Sequence, residues 1–202
     1  MEIKKIINFS NDQNTYIIKS ENECGVIDPG AEFEKIEEHI DGELKYIILT
    51  HCHYDHIESL IPLKEKYNSK IVFSRTGSSN LNNSNINLSK MVYGKNTGLE
   101  PDILVSDNDI LNLGKIEIKC IETPGHTSCG ICYLTEDGLF SGDTLFAGNI
   151  GRCDLPTGNY SVLENSIKNK IYTLSDDLTV YPGHGDSTSF KNEKLYNYYV
   201  RG

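Results

Sequence analysis

Apolar and polar positions alternate through the start of the chain in the two-residue period of half-buried strands. Ile3–Phe9 and Thr15–Lys19 are two such runs, joined by the turn Asn11-Asp12-Gln13-Asn14. Cys24–Asp28 is a third, closed by the turn signal Asp28-Pro29-Gly30. The period then changes. Phe33, Ile36 and Ile40 recur at helical spacing and predict a helix over 32–41 with a wet acidic face. Leu44–Leu49 reads as a buried central strand, and it delivers the chain directly to His51. A helix over 57–66 and a strand at Lys70–Phe73 follow. Residues 76–98 are rich in Asn, Ser and Gly and read as a polar surface excursion, with a mobile element bordering a functional site as the alternative. Strands resume at 102–105, 109–113, 115–121, 130–135 and 138–141, with turns at Asp107-Asn108 and Asp137-Gly138. Val162, Leu163, Ile167, Ile171 and Leu174 stripe a helix over 161–174, and Leu178–Tyr181 is the last strand. This order predicts an α+β protein: one domain over 1–202, two facing mixed sheets with helices on the outer faces.

Composition narrows the partners. The net charge of −10 comes from 19 Lys and Arg against 29 Asp and Glu, with no basic clustering, so a nucleic-acid partner is not expected. No apolar run reaches membrane-spanning length, and Met1-Glu2-Ile3-Lys4-Lys5 opens a strand rather than a signal peptide, so a cytoplasmic location and no membrane partner are expected. The six cysteines have no disulfide-scaffold spacing. Cys129-Gly130-Ile131-Cys132 falls on a strand, where the two thiols point to opposite faces, and reads as structural; Cys52 reads as filler between two ligands.

Histidine carries the chemistry. Five of the six stand in three short clusters: His51, His53 and His56 in Thr50-His51-Cys52-His53-Tyr54-Asp55-His56, His126 in Pro124-Gly125-His126-Thr127, and His184 in Pro182-Gly183-His184-Gly185. Asp143 lies between the last two, in Ser141-Gly142-Asp143-Thr144. Every cluster falls just past a strand end, where loops from distant sequence converge. In H-x-H-x-D-H the residues at i and i+2 can aim at one ion, while those at i+4 and i+5 reach a neighbour. Two ions about 3.5–4 Å apart need a bridging carboxylate, for which Asp143 is the candidate, with His126 completing the first site and His184 the second. Zinc accepts such imidazole and carboxylate ligands and keeps a position for water. A hydroxide held between two cations is nucleophilic at neutral pH, so hydrolysis of an activated bond is the reaction this set predicts.

These residues resemble the metallo-β-lactamase fold, through Thr50–His56, Pro124–Thr127, Gly142–Thr144 and Tyr181–Gly185. The stretch from Gly142 to Pro156, with Leu81–Ser89 and Thr188–Lys194, is similar to the small hydrolases related to glyoxalase II (hydroxyacylglutathione hydrolase). The resemblance implies an αβ/βα sandwich, with His51, His53, His126 and Asp143 on a first metal and Asp55, His56, His184 and Asp143 on a second. It implies two divalent ions, zinc before iron or manganese, a base at Asp55, and a small thioester such as an S-lactoylglutathione-like compound as substrate. Arg152 falls where those enzymes place a basic residue against glutathione; it would grip a substrate carboxylate or pair with Asp154.

The departures from that pattern also bear on the reading. Full-length glyoxalase II carries a helical C-terminal domain with no counterpart after His184, which leaves the thiol carrier open. The commonest zinc β-lactamases place cysteine where Asp143 stands, so antibiotic hydrolysis is not expected, and flavodiiron relatives replace His53 with glutamate. The rival readings are a persulfide dioxygenase with one iron on His51, His126 and Asp143, a phosphodiesterase or nuclease of the same superfamily, and a non-catalytic metal-binding protein. Tyr196, Tyr198 and Tyr199 are expected to pack on the body of the protein as a short tail.

Overall fold

The computed structural model describes residues 1–92 and 97–202, so residues 93–96 of the polar stretch lie outside the described residues. Its strands build two six-stranded sheets. The first runs, in spatial order, β1 (Glu2–Asn8), β2 (Gln13–Ser20), β3 (Glu23–Ile27), β4 (Glu43–Ile48), β5 (Lys70–Ser74) and β6 (Ile103–Val105). Hairpin pairing joins β1 to β3, and parallel pairing joins β3 to β6. The second sheet holds β7 (Ile110–Leu113), β8 (Ile116–Glu122), β9 (Ile131–Thr135) and β10 (Gly138–Gly142) as an antiparallel meander. A hairpin outside both sheets follows, β11 (Leu145–Phe146) and β12 (Asn149–Ile150). Then β13 (Thr179–Pro182) joins β10 in parallel, and β14 (Thr188–Ser189) closes the edge.

The period-two pattern of the strands distributes their side chains over three apolar layers. Ile18, Ile27, Ile48 and Val72 point inward and meet Leu113, Ile118, Tyr133 and Phe140 of the second sheet. Their sequence neighbours Ile17, Val26, Ile47 and Ile71 point outward, under Ile36 of α1 (Phe33–Glu37) and Leu60 and Leu63 of α2 (Leu60–Tyr67). On the far side, Leu139 and Val180 pack beneath Leu163 of α4 (Tyr160–Ser166) and Phe190 of α5 (Phe190–Tyr196). Helix, sheet, sheet, helix is the predicted sandwich. A further short helix, α3 (Ser89–Val92), lies in the polar stretch, and no helix among the described residues is long and apolar enough to cross a membrane.

The helices are shorter than their patterns predict. The first stops at Glu37, and His39 and Ile40 continue with tighter i→i+3 bonds to Ile36 and Glu37. The second starts at Leu60, which leaves Pro62 in the first turn, where its missing N–H costs nothing. After α4 the helix widens to π pitch over Ile167–Ile171, closed by Tyr172 N–H to the Ile167 carbonyl at 2.8 Å. Leu163, Ile167 and Ile171 repeat every four residues, and such a repeat drifts off a 3.6-residue stripe unless the turn widens. All three are fully buried, whereas Val162, expected on the same stripe, is on the outer face.

Candidate metal centre

Four strand ends deliver the predicted residues to one edge of the sandwich. His51 and His53 follow β4, with Asp55 and His56 on a 3-10 turn at Tyr54–His56; His126 follows β8, Asp143 follows β10 and His184 follows β13. The ligand atoms of His51, His53 and His126 all lie within 4.8 Å of one another, as do those of Asp55, His56 and His184. Asp143 sits between the two groups. Its Oδ2 is 3.5 Å from His126 Nε2 and 3.8 Å from His184 Nε2, and its Oδ1 is 3.3 Å from His56 Nε2. Gly183 makes this convergence possible: a Cβ there would fall 2.3 Å from Asp143 Oδ1 and 2.7 Å from the His56 ring.

Hydrogen bonds behind the rings decide which nitrogen faces the centre. Thr50 gives its only hydroxyl proton to Asp28 Oδ2 at 2.6 Å, so its oxygen accepts from His51 Nδ1 at 3.1 Å and leaves His51 Nε2 bare. The buried Asp28 carboxylate also accepts from His56 Nδ1 at 2.9 Å, which turns His56 Nε2 toward Asp143 Oδ1 and His184 Nε2, both at 3.3 Å. His126 donates Nδ1–H to the Arg152 carbonyl at 2.7 Å, and its bare Nε2 faces His53 Nδ1 at 3.0 Å. His51 Nε2, His53 Nε2 and Asp143 Oδ1 are buried without a hydrogen-bond partner. A buried polar atom so placed costs about 1–3 kcal/mol. Bare imidazole nitrogens and a carboxylate oxygen converging on one point are the donor set of a divalent cation, and the residues present fit one.

The electrostatics agree with that fit. Burial, reinforced by the neighbouring His56, holds His51 well below the ordinary imidazole range. Burial and His126 pull His53 down to about 3, so both rings stay neutral and available as ligands at physiological pH. Burial would raise Asp143, but the surrounding histidines, His56 first, hold it well below the ordinary carboxylate range. Burial opposes the charged form of His56 as well, yet Asp143, Asp28 and Asp55 outweigh it and raise that ring. The three carboxylates therefore recruit positive charge from a histidine, the role a cation takes over.

A cleft of about 650 Å³ opens over these residues, walled by Tyr54, Leu88, Phe146, Ile150 and Leu155, with Arg152 at its mouth. A second cavity of about 580 Å³, lined by Lys5, Asn11, Asp12 and Asp186, shares Phe146, Asn149 and His184 with the first. They adjoin at these three residues as two arms of one groove; the first lies over the cluster and the second meets it at His184. Leu88 and Met91 of the polar stretch line the first arm, so its described part does border the site. Arg152 pairs with Asp154 through Nε to Oδ1 and Nη2 to Oδ2, both at 2.7 Å, and that guanidinium holds the Asp154 carboxyl down to about 2. Tyr196, Tyr198 and Tyr199 are 65%, 84% and 55% exposed, so the expected packing of the tail aromatics on the body does not occur. Of the two cysteines expected on one strand, only Cys132 lies on β9, where its thiol meets the Thr123 hydroxyl at 3.2 Å; Cys129 sits in the turn before it, with its Sγ 3.6 Å from that of Cys52.

Sequence reasoning missed Asp28, which it read only as a turn. The available signal was an acid ending an otherwise apolar strand; at 2% exposure it must be satisfied internally, and Thr50 and His56 do so.

Comparison with known proteins agrees with this geometry. Residues 11–184 match the family described as the metallo-beta-lactamase superfamily, and the chain belongs to it. It is 34% identical over 195 residues to the probable metallo-hydrolase YqgX of Bacillus subtilis, covering 94% of this chain and 92% of that one. It is 33% identical over 198 residues to the hydroxyacylglutathione hydrolase GloC of Haemophilus influenzae, covering 92% and 91%. Among solved structures, BLEG-1, described as a B3 metallo-beta-lactamase, superposes with a TM-score of 0.92 at 29% identity over the whole of both chains. The protein is thus a metal-dependent hydrolase of this superfamily.

Proposed function

We propose that the protein is a binuclear metallohydrolase of the glyoxalase II type, a thioesterase acting on a small acyl-thiol. One observation carries this reading: two three-residue groups of ligand atoms, each within 4.8 Å, with a buried carboxylate between them. His51, His53 and His126 would hold one divalent ion and Asp55, His56 and His184 the other, with Asp143 shared; zinc suits the nitrogen-rich set, and iron or manganese can replace it. When bound, the ions supply a water ionised at neutral pH and stabilise negative charge developing on the substrate.

The chain's own residues do the rest. Asp55 Oδ2 lies 3.4 Å from His184 Nε2 and borders the cleft, where it can accept the proton released by the attacking water. A planar acyl carbon over the cluster would place the acyl group in one arm and the thiol in the other, against the apolar side chains of Leu88, Phe146, Ile150 and Leu155. A thiolate leaving group departs with little need of protonation, which suits a site whose one general base is an aspartate. Arg152 at the mouth would meet a carboxylate on the carrier, exchanging its Asp154 partner for it. The hydroxyacylglutathione hydrolase relative supports this substrate class.

The test is metal content of the purified protein followed by a substrate panel. Two equivalents of metal and turnover of S-D-lactoylglutathione or a neutral thioester, read by free-thiol release, are the expected results. A ceiling of one iron per chain, with oxygen consumed in the presence of a persulfide, would replace this reading with the dioxygenase. Exclusive cleavage of a phosphodiester or of a β-lactam would overturn it as well.

A further inference from the structure

The hairpin β11–β12 supplies Phe146 and Asn149, two of the three residues, with His184, that line both arms of the groove. Only two residues, Ala147 and Gly148, form its tip, and Gly148 holds a left-handed φ of 69°. So small a hairpin has no sheet of its own to fix it and cannot hold a position alone. What holds its tip comes from α5 and the two residues that follow it. Glu193 Oε2 accepts from Gly148 N–H at 2.9 Å, Asn197 Nδ2 donates to the Asn149 carbonyl at 3.0 Å, and Tyr198 N–H reaches the Gly148 carbonyl at 3.3 Å.

Glu193 is an unusual residue for this place. It is fully buried, and no Lys, Arg or His lies within ion-pair distance of it among the described residues. A buried carboxylate without a counter-ion is costly unless hydrogen bonds replace its water. Here four donors do so: Gly148 N–H and Asn197 Nδ2 (2.8 Å) on one oxygen, Thr188 Oγ1 (2.7 Å) and Asn192 Nδ2 (3.2 Å) on the other. The carboxylate thus ties three pieces of chain together: the strand β14, the end of α5 and the hairpin tip.

We propose that Glu193, with Asn197, is a positioning residue that fixes the β11–β12 hairpin as the substrate wall of the groove, and thereby sets substrate affinity rather than metal binding or the chemical step. Glu193 does not itself line either arm. Its reach is through the Gly148 amide to Phe146 and Asn149, while the His126–Arg152 contact lies beyond the base of the hairpin, which Leu145 and Ile150 pin by pairing. Losing the clamp would free the tip and leave the ligands in place. The substrate readout rests on the thioesterase reading; the hydrogen-exchange readout does not.

The experiment uses metal-loaded protein and S-D-lactoylglutathione, with Glu193→Ala, Glu193→Asp, Glu193→Gln and Thr188→Val. In Glu193→Ala and Glu193→Asp, KM should rise by about fivefold or more, with kcat within about twofold and metal content unchanged. Glu193→Gln should stay near wild type, because its amide oxygen can keep Gly148 and Asn197 while its nitrogen donates to a Thr188 hydroxyl that turns to accept, and the Asn192 amide, which is exposed, turns away to solvent. Thr188→Val leaves the hairpin contact intact and should leave KM unchanged. The Gly148 amide should exchange slowly with deuterium in the wild type and faster in Glu193→Ala. If Glu193→Ala does not fold, Glu193→Asp and the wild-type exchange decide. Wild-type exchange of Gly148 at the rate of a free loop overturns the proposal, as does an unchanged KM in a folded Ala or Asp variant, or a fall in kcat that tracks metal loss. If no thioester is turned over by the wild type, the thioesterase reading fails, and the exchange data alone still judge the clamp.

Discussion

Asp28 accepts three hydrogen bonds from donors that cannot all be kept by a neutral substitute: Thr50 N–H at 2.8 Å, Thr50 Oγ1 at 2.6 Å and His56 Nδ1 at 2.9 Å. Asn offers one acceptor oxygen and turns N–H groups toward at least one of these donors. Asp28→Asn should therefore leave His56 without its orienting partner and weaken metal binding at the Asp55, His56, His184 group by about 10–100-fold, measured by competition with a chromogenic chelator. Unchanged affinity would mean that the ring is held by packing instead. Asp143→Ala should reduce occupancy of both groups, and His184→Ala mainly that of one; elemental analysis of each variant separates these outcomes. Retention of two tightly held ions in Asp143→Ala would remove it from the shared position. At this scale the sequence was readable where chemistry is written in residue type. The five clustered histidines, Asp55 and Asp143 mark themselves as candidate ligands by identity and local spacing, so each could be picked out singly, and the structure brings them together. Asp28 could not be, because its meaning lies in partners 22 and 28 residues away, which only the parallel pairing of β3 with β4 brings beside it.

Elements were legible in proportion to their periodicity. Strands with one wet face, such as β7 and β8, alternate, and those between two apolar layers, such as β3 and β5, read as continuous apolar runs; the predicted positions of both kinds agree with the structure to within a few residues. The hairpin β11–β12 and the helix α5 carry almost no such signal. Two-residue strands are too short to alternate, and α5 buries only Phe190 and Glu193, one of which a hydropathy pattern counts as surface. Its fold is written in caps: the Ser189 side chain accepts from Asn192 N–H, and Asn197 follows the last turn. Close approach between elements is equally hidden from pattern reading. Gly183, in the loop between β13 and His184, stands where a methyl group would press on Asp143 and His56, so Gly183→Ala should displace one of them. We expect that variant to fold, since the clash lies at the rim of the sandwich, but to bind less metal than wild type. Full metal content with ordinary affinity in Gly183→Ala would show that the loop yields.

Taken whole, the molecule gathers its buried histidines, His51, His53, His56 and His126, on one edge, and its stability without metal should report that. His51 and His53 are depressed by burial, His53 to about 3, so the folded protein keeps them neutral while the unfolded chain protonates them near the ordinary imidazole value of about 6.5. Their contribution is present above that value and is lost as pH falls toward about 3. His56 and His184 are raised, so below the ordinary imidazole value both states carry their protons and their contribution stays constant there. Asp55 and Asp143 are lowered and add losses of the same sign at the acid end. The metal-free protein should therefore lose stability on acidification through this window, by roughly 1 kcal/mol per pH unit for each depressed histidine, visible as a falling Tm. Bound cations oppose this. They bind the folded ligand set in preference to the unfolded chain, so zinc at about a thousand times its Kd should add about 4 kcal/mol near neutral pH. Acid then returns the loss at the pH where protons displace metal from His51 and His53. The measurement is a pair of Tm-against-pH curves, with and without metal. A constant gap between them down to the acid end would separate metal binding from these two histidines and send the search for its ligands elsewhere.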